Sequence, residues 1–267
     1  VNHQEGGARS PTCILLVEDN ATNQFVAENL LRALGLDCVS VSTGVEALQK
    51  LSVQDFSAVL MDVRMPEMDG YEATERIRAG VSGEKNSSIP IIAITANAGE
   101  EERQKCLSVG MNGFLEKPIR VAQLAEALSA WCPSSLTPSK FNESPKTKDF
   151  SDAKEQVVFD EAVFLRRMTG DTEIAKRAVQ LFLEESPNLM RDFSDGLRQR
   201  DMEGAELAVH SLKSAAAGVG GVALAAIARD LESKVKRADF EGSESCKATL
   251  ESEYSSLVKK LTAWVKA

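Results

Sequence analysis

Apolar positions follow two different rhythms along this chain. Up to about residue 131 they come in short, nearly unbroken runs: CILLV at 13–17, CVSV at 38–41, AVLM at 58–61, PIIAIT at 90–95 and GFL at 113–115. Each run is shorter than a globular helix, and the first, third and fourth are almost wholly apolar. Runs of this kind suit parallel strands covered on both faces. Between them lie helix-length segments with periodic apolar residues, such as NQFVAENLLRALG, where Gly35 supplies a stop. The repeated alternation predicts an α/β domain, a five-stranded doubly wound parallel sheet, over residues 12–131.

The rhythm then changes. Residues 132–156, CPSSLTPSKFNESPKTKDFSDAKEQ, are rich in Pro, Ser, Lys and Asp and poor in apolar side chains, the composition of a linker. From Val157 no strand pattern is visible. Long amphipathic stretches cover roughly 171–200, 202–218, 221–237 and 243–265, with a short one at 159–168. They predict an all-α four-helix-bundle domain over 157–265. No internal repeat is seen.

Composition narrows the classes. A 267-residue chain with 43% hydrophobic content can build two cores, and its 5% aromatic content points to cores of Ala, Leu, Ile and Val. The net charge of −9 argues against nucleic acid and against direct membrane contact through bulk charge. The first 131 residues hold 11 basic and 18 acidic residues, and residues 159–267 hold 16 and 18, so the first domain is the more acidic. No run approaches a membrane span and no signal peptide opens the chain. The first residue is Val, which reads as a piece of a longer protein. Cys13, Cys38, Cys106, Cys132 and Cys246 are odd in number and lack metal-ligand spacing, so a reduced, cytoplasmic location is expected.

In an open parallel sheet the ligand site lies at the carboxyl ends of the strands. Here the first strand ends in Glu18 and Asp19, the third in Asp62 and the fourth in Thr95, and the fifth leads into Lys117. Three carboxylates on one rim repel one another unless a cation intervenes. Hard oxygen donors without His or Cys suit Mg2+, which binds a phosphate alongside. Lys117 can then pair with one phosphoryl oxygen and Thr95 can donate to another. The set suits phosphoryl transfer with a carboxylate nucleophile.

The motifs ILLVEDNATNQ, VLMDVRMPEMDGYEATERIR, PIIAITANA and GFLEKPI together resemble the receiver domain of two-component response regulators, a flavodoxin-like fold. The resemblance implies that Asp62 is the phosphoacceptor. It implies that Glu18, Asp19, Asp62 and the backbone carbonyl of Arg64 hold Mg2+. Thr95 and Phe114 take the switch positions, and Lys117 pairs with the phosphate ahead of a cis bond to Pro118. Glu18 departs from the two-Asp pair of many receivers and matches those attached to hybrid kinases.

The second domain poses a different question. His210 is one of two histidines, the other being His3, and it sits in the alanine-rich stretch LAVHSLKSAAAGVGG. On a helical wheel Glu206, Lys213, Ser214 and Ala217 fall within about 60° of it, while Ala205, Ala208, Leu212, Ala215 and Ala216 gather opposite. His210 is therefore expected to face solvent, among small residues that let a partner approach. Lys213, one turn along, would help neutralise an arriving phosphoryl group.

The stretch AVHSLKSAAAGVGG resembles the signature of histidine phosphotransfer (HPt) domains, and VFDEAVFLRRMTGDTEIAKRAVQLFLEESPNLM resembles the start of the same module. Ser214 stands where Gly is commoner. The two resemblances together imply the receiver and HPt segment of a hybrid sensor histidine kinase acting in a phosphorelay. Phosphate would pass from an upstream histidine kinase domain to Asp62, then to His210, then to the receiver domain of a downstream response regulator. The parent would be anchored in the inner membrane. No ATP-binding pattern is present. An aspartyl-intermediate phosphatase would want an acid–base Asp two residues after Asp62, where Arg64 stands. A DNA-binding regulator is disfavoured by the acidic charge, and an inert interaction module by the complete acidic set.

As a flexible coil, residues 132–158 would span roughly 30 Å, about one domain diameter. Asp62 and His210 of one chain should then meet at millimolar effective concentration. An equimolar mixture of Asp62→Asn and His210→Gln chains at low micromolar concentration should therefore transfer phosphate more slowly than the wild type. Equal rates would place the relay between chains.

Overall fold

A computed structural model describes residues 13–96, 99–131 and 157–267. The expected linker at 132–156, with Cys132, and also His3 lie outside the described residues.

The first domain alternates strand and helix: β1 (Cys13–Val17), α1 (Ala21–Ala33), β2 (Asp37–Val41), α2 (Gly44–Val53), β3 (Ala58–Asp62), α3 (Gly70–Arg78), β4 (Ile91–Thr95), α4 (Glu100–Ser108), β5 (Gly113–Glu116) and α5 (Val121–Ser129). A short 3-10 turn at Glu84–Asn86 precedes β4. The strands form one parallel sheet in the order β2-β1-β3-β4-β5. Side chains alternate across it. Ile14, Leu16, Leu60, Ile92 and Ile94 face the side covered by α1 and α5, with Leu30, Leu31, Leu124 and Leu128. Leu15, Val17, Val59, Met61, Ile91 and Ala93 face α2 and α3, with Leu48, Leu51, Ala73 and Ile77. Both faces are buried, which is why the strands read as continuous apolar runs.

Local chemistry sets the helix ends. Asn20 caps α1 by accepting from the Asn23 amide (3.0 Å), and Gly35 ends it at φ 77°. Thr43 caps α2, accepting from the Glu46 amide, while Glu46 reaches back to the Ser42 amide.

The second domain begins with the short α6 (Glu161–Arg167). Four long helices follow: α7 (Thr172–Gln199), α8 (Met202–Gly218), α9 (Val222–Lys236) and α10 (Phe240–Lys266). Each of these packs on the next, and α10 closes back onto α7, as in an up-down bundle. Asp171, Asp201 and Asp239 cap α7, α8 and α10. Phe159, Phe164 and Trp264 close one end, with ring centroids 5.8–6.0 Å apart. The alanine-rich face of α8 lets the helices come close. A Cβ at Gly196 on α7 would lie 2.9 Å from the Ala205 backbone nitrogen.

The two domains are docked. Helix α1 lies against α7 and α8, and one apolar core runs from the sheet through α1 into the bundle.

One close approach positions the site. A Cβ at Gly70 would lie 2.2 Å from the backbone oxygen of Asp62, while the Gly70 amide donates to the Val63 carbonyl (3.0 Å). Gly70→Ala must push β3 and α3 apart just where Asp62 sits. It should destabilise the first domain by about 2 kcal/mol in urea denaturation and displace the Asp62 carboxyl. An unchanged midpoint would contradict the packing.

Candidate functional site

The rim at the carboxyl ends of β1, β3, β4 and β5 collects the expected groups. Glu18 and Asp62 are fully buried, Asp19 half-buried, and Thr95 buried. Carboxylate oxygens of Glu18, Asp19 and Asp62 all lie within 4.8 Å of one another. The Lys117 ammonium sits between two of them, 2.7 Å from Asp62 Oδ2 and 2.8 Å from Glu18 Oε2. The peptide bond from Lys117 to Pro118 is cis, and the Lys117 amide donates to the Thr95 carbonyl at 2.7 Å, tying β5 to β4. The Arg64 amide donates to Asp62 Oδ1 (3.2 Å), and Phe114 is half-buried against the α2–α3 side of the sheet.

The electrostatics show excess negative charge. Burial, and then the neighbouring Asp62, push Glu18 up to about 8 and Asp19 to about 6. Burial opposes the charge on Lys117, but Asp62 and Glu18 outweigh it and hold the ammonium above its ordinary range. One ammonium does not balance three clustered carboxylates. A hard divalent cation fits this all-oxygen donor set.

His210 lies in the middle of α8, and here the structure corrects the helical wheel. Instead of facing solvent, His210 is 6% exposed, and Lys213 and Ser214 are buried with it. The wheel accounts for the bundle core alone. The opposite face of α8 is covered by the first domain and by a carboxylate from α9. Small residues on this face adjoin the chain's own first domain: Gly218 lies beside Asn23, and Ser211 shares a cleft with Asp19 and Asn20. Asn23, which donates to Glu18 (3.0 Å), sits where a Cβ at Gly218 would lie 3.4 Å from its Oδ1. Near the other end of α8, Glu206 pairs with Arg64 (3.3 Å).

Glu232 on α9 organises the histidine, and sequence reasoning missed it. Its Oε1 lies 2.8 Å from His210 Nδ1 and 2.9 Å from Lys236 Nζ, and its Oε2 accepts from Lys213. Burial opposes the Glu232 charge, but the His210 hydrogen bond and Lys213 hold the carboxyl below the ordinary range. Burial lowers His210, with Lys213 adding to this and Glu232 opposing it. A neutral imidazole donating Nδ1–H to Glu232 leaves a lone pair on Nε2. Nε2 is buried and has no hydrogen-bond partner among the described residues. Asp19 of the receiver rim and Ser211, next to His210 on α8, line one cleft, so the two sites share one seam. Beside them a cleft of about 160 Å³ is lined by Asp19, Asn20, Glu185, Asn188, Leu189 and Ser211.

Residues 14–129 match the response regulator receiver domain family and residues 177–260 match the Hpt domain family. Sensor protein GacS of Pseudomonas syringae pv. syringae is 39% identical over 140 residues, covering 51% of this chain and 15% of that protein. Sensor histidine kinase GacS of Pseudomonas protegens is 33% identical over 179 residues, covering 66% of this chain and 19% of that protein. The chain thus spans less than a fifth of these relatives. Among solved structures, the receiver domain of a sensor histidine kinase from Pseudomonas aeruginosa PAO1, described with a magnesium ion in its active site cleft, is 45% identical. That match covers 47% of this chain and all of the other, with a TM-score of 0.43. No helix among the described residues is long and apolar enough to cross a membrane.

Burial of a neutral His210 makes stability depend on pH. The unfolded chain takes up the proton first as pH falls, so this contribution to stability is complete above about 6.5 and declines below it. Acidification from pH 7.5 to 5.5 should therefore cost the wild type more stability than His210→Gln. By NMR, His210 should titrate below 6.5, and lower still in Glu232→Gln, which removes the partner favouring the imidazolium. Titration at or above 6.5 would contradict the buried, neutral imidazole.

Proposed function

We propose, for a chain that joins a response regulator receiver domain to an Hpt domain, a place in the middle of a phosphorelay. In this reading it is the receiver and HPt segment of a hybrid sensor kinase working on the cytoplasmic side of the membrane. Asp62 takes a phosphoryl group from the histidine of an upstream kinase domain. His210 takes it from Asp62 and yields it to the receiver domain of a separate response regulator. The observation that supports this reading is the seam itself, where a buried imidazole with an unpartnered Nε2 lies on the helix that shares a cleft with Asp19 of the acidic rim.

Glu18, Asp19, Asp62 and the Arg64 carbonyl would hold Mg2+, which when bound offsets charge on phosphoryl oxygens. The chain's own groups account for the rest. Lys117 and the Arg64 amide hold one oxygen each of Asp62, which fixes the plane of the carboxylate that meets the incoming phosphorus. Lys117 neutralises charge on the phosphoryl group, and Thr95 donates to it from the end of β4, with Phe114 following the switch.

In the second transfer the lone pair of His210 Nε2 attacks phosphorus. The Nε2–P bond forms as the P–O bond to Asp62 breaks, and Asp62 leaves as a carboxylate. The imidazole becomes cationic, and Glu232, facing Nδ1–H, stabilises that charge. Lys213, paired with Glu232, keeps that carboxylate ionised. Docking excludes bulk water from the seam, so transfer competes with hydrolysis.

Incubation with acetyl phosphate and Mg2+ should label the chain, and Asp62→Asn or chelation should abolish primary labelling. Part of the wild-type label should be acid-labile phosphohistidine, and His210→Gln should leave base-labile acyl phosphate alone. Undiminished labelling of Asp62→Asn, or acid-labile label in His210→Gln, would refute the assignment.

A further inference from the structure

Helix α1 begins with backbone donors that its own domain does not satisfy. Asn20 serves the Asn23 amide, which leaves those of Ala21 and Thr22. Both donate to one carboxylate of the other domain, Glu185 on α7, at 2.9 and 3.1 Å, and the Thr22 hydroxyl joins them at 3.0 Å. Thr22 is fully buried by this contact and Glu185 is half-buried. Three hydrogen bonds to a carboxylate at a helix N-terminus form a strong, directional clamp. The Arg64–Glu206 pair is more exposed and adds little. While the clamp holds, His210 is covered, and α8 offers it to one face alone.

We propose that Glu185 is the partner-selecting residue of this HPt surface, and that the resident receiver and the next receiver compete for it. The surface takes a receiver whose first helix opens with two free amides and a hydroxyl residue at its second position. The next regulator must present the same helix start, and it reaches His210 only in the fraction of chains whose own receiver has undocked. This rests on transfer between Asp62 and His210 as proposed above.

Ala21→Pro separates the two roles. Proline is tolerated at the first position of a helix, and Asn20 before it is extended (φ −89°, ψ 118°), as proline requires. The change removes one donor and places ring atoms against Glu185. The donor is full-length His210→Gln that also carries Glu185→Ala, so that its own HPt surface does not hold its receiver, phosphorylated with acetyl phosphate and then freed of it. The acceptor is full-length Asp62→Asn, and acid-labile label on it is followed.

Ala21→Pro on the acceptor should speed transfer on the order of tenfold, because its own receiver lets go. On the donor it should slow transfer by a similar factor, because the incoming receiver binds less well. With Glu185→Ala on the acceptor, the donor's Ala21→Pro should cease to matter. Opposite effects on the two chains support the proposal. An unchanged or slower rate with the acceptor variant overturns it. Acetyl phosphate labelling of the donor variant at the parent rate checks its fold, and Thr22→Val, which removes the hydroxyl donor, must give the same opposite signs. If the parent pair transfers nothing, the phosphorelay reading falls and this proposal with it.

Discussion

Buried charge has to be balanced, and that constraint organises both halves of the protein. On the receiver rim three carboxylates surround one ammonium. Across the seam one carboxylate, Glu232, is met by Lys213, Lys236 and the imidazole. The first cluster carries excess negative charge and the second carries positive charge, so docking lets each offset part of the other. Removing charge from water is costly unless every member finds a partner. Here Lys117 meets Glu18 and Asp62, and Lys213 and Lys236 meet Glu232, while Asp19 leaves the receiver side with room for a cation. Among the described residues His210 Nε2 and Ser214 Oγ are buried on this face without a hydrogen-bond partner, and in the proposed transfer Nε2 is the atom that meets phosphorus.

The same bookkeeping explains the choice of residues on α8. A histidine that must stay neutral in a buried seam needs its second nitrogen fixed. Glu232 does this from the neighbouring helix, while Lys213 and Lys236 hold that carboxylate in its ionised form. The approach of α1 and the β3–α3 loop then requires that α8 carry little bulk beyond His210. Ser211, Ser214, Ala217 and Gly218 meet that need on the seam face. Ala205, Ala208, Ala215 and Ala216 do the same toward the bundle. An alanine-rich helix with a single histidine is thus packed closely on two sides at once.

These two sides also mark the limit of what could be read from the sequence. The strands were legible because full burial leaves unbroken apolar runs, and the grouping of Glu18, Asp19, Asp62 and Lys117 because topology puts strand ends on one rim. The four long helices followed from their periodicity. The burial of His210 was not legible, since a helical wheel weighs one helix against one core and knows nothing of a second domain. Glu232 lies 22 positions from His210 in ARDLESKVK, where a Glu among Arg, Asp and Lys reads as part of a solvated face. Glu185 in LEESPNLM looks equally ordinary. Its partner is separated from it by 164 positions, and the bond it makes is to backbone amides, which leave no trace in residue type.

Burial of His210 has two consequences that pull in opposite directions. It disfavours protonation of the imidazole and would keep bulk water from an acyl phosphate, both of which the proposed transfer from Asp62 requires. It also bars every other receiver from the same nitrogen. The proposed relay needs both steps, so in that reading the seam must close well and open readily. Its construction fits that requirement. The apolar contact through α1 is joined by a clamp at Glu185 and an exposed ion pair at Arg64, with a cleft next to Asp19 large enough for several waters. Groups that can exchange protein partners for water at the edge of an interface lower the cost of parting, whereas the buried pairs at Glu232 and Lys117 stay within their own domains. The charges that would be expensive to expose do not have to separate when the domains do.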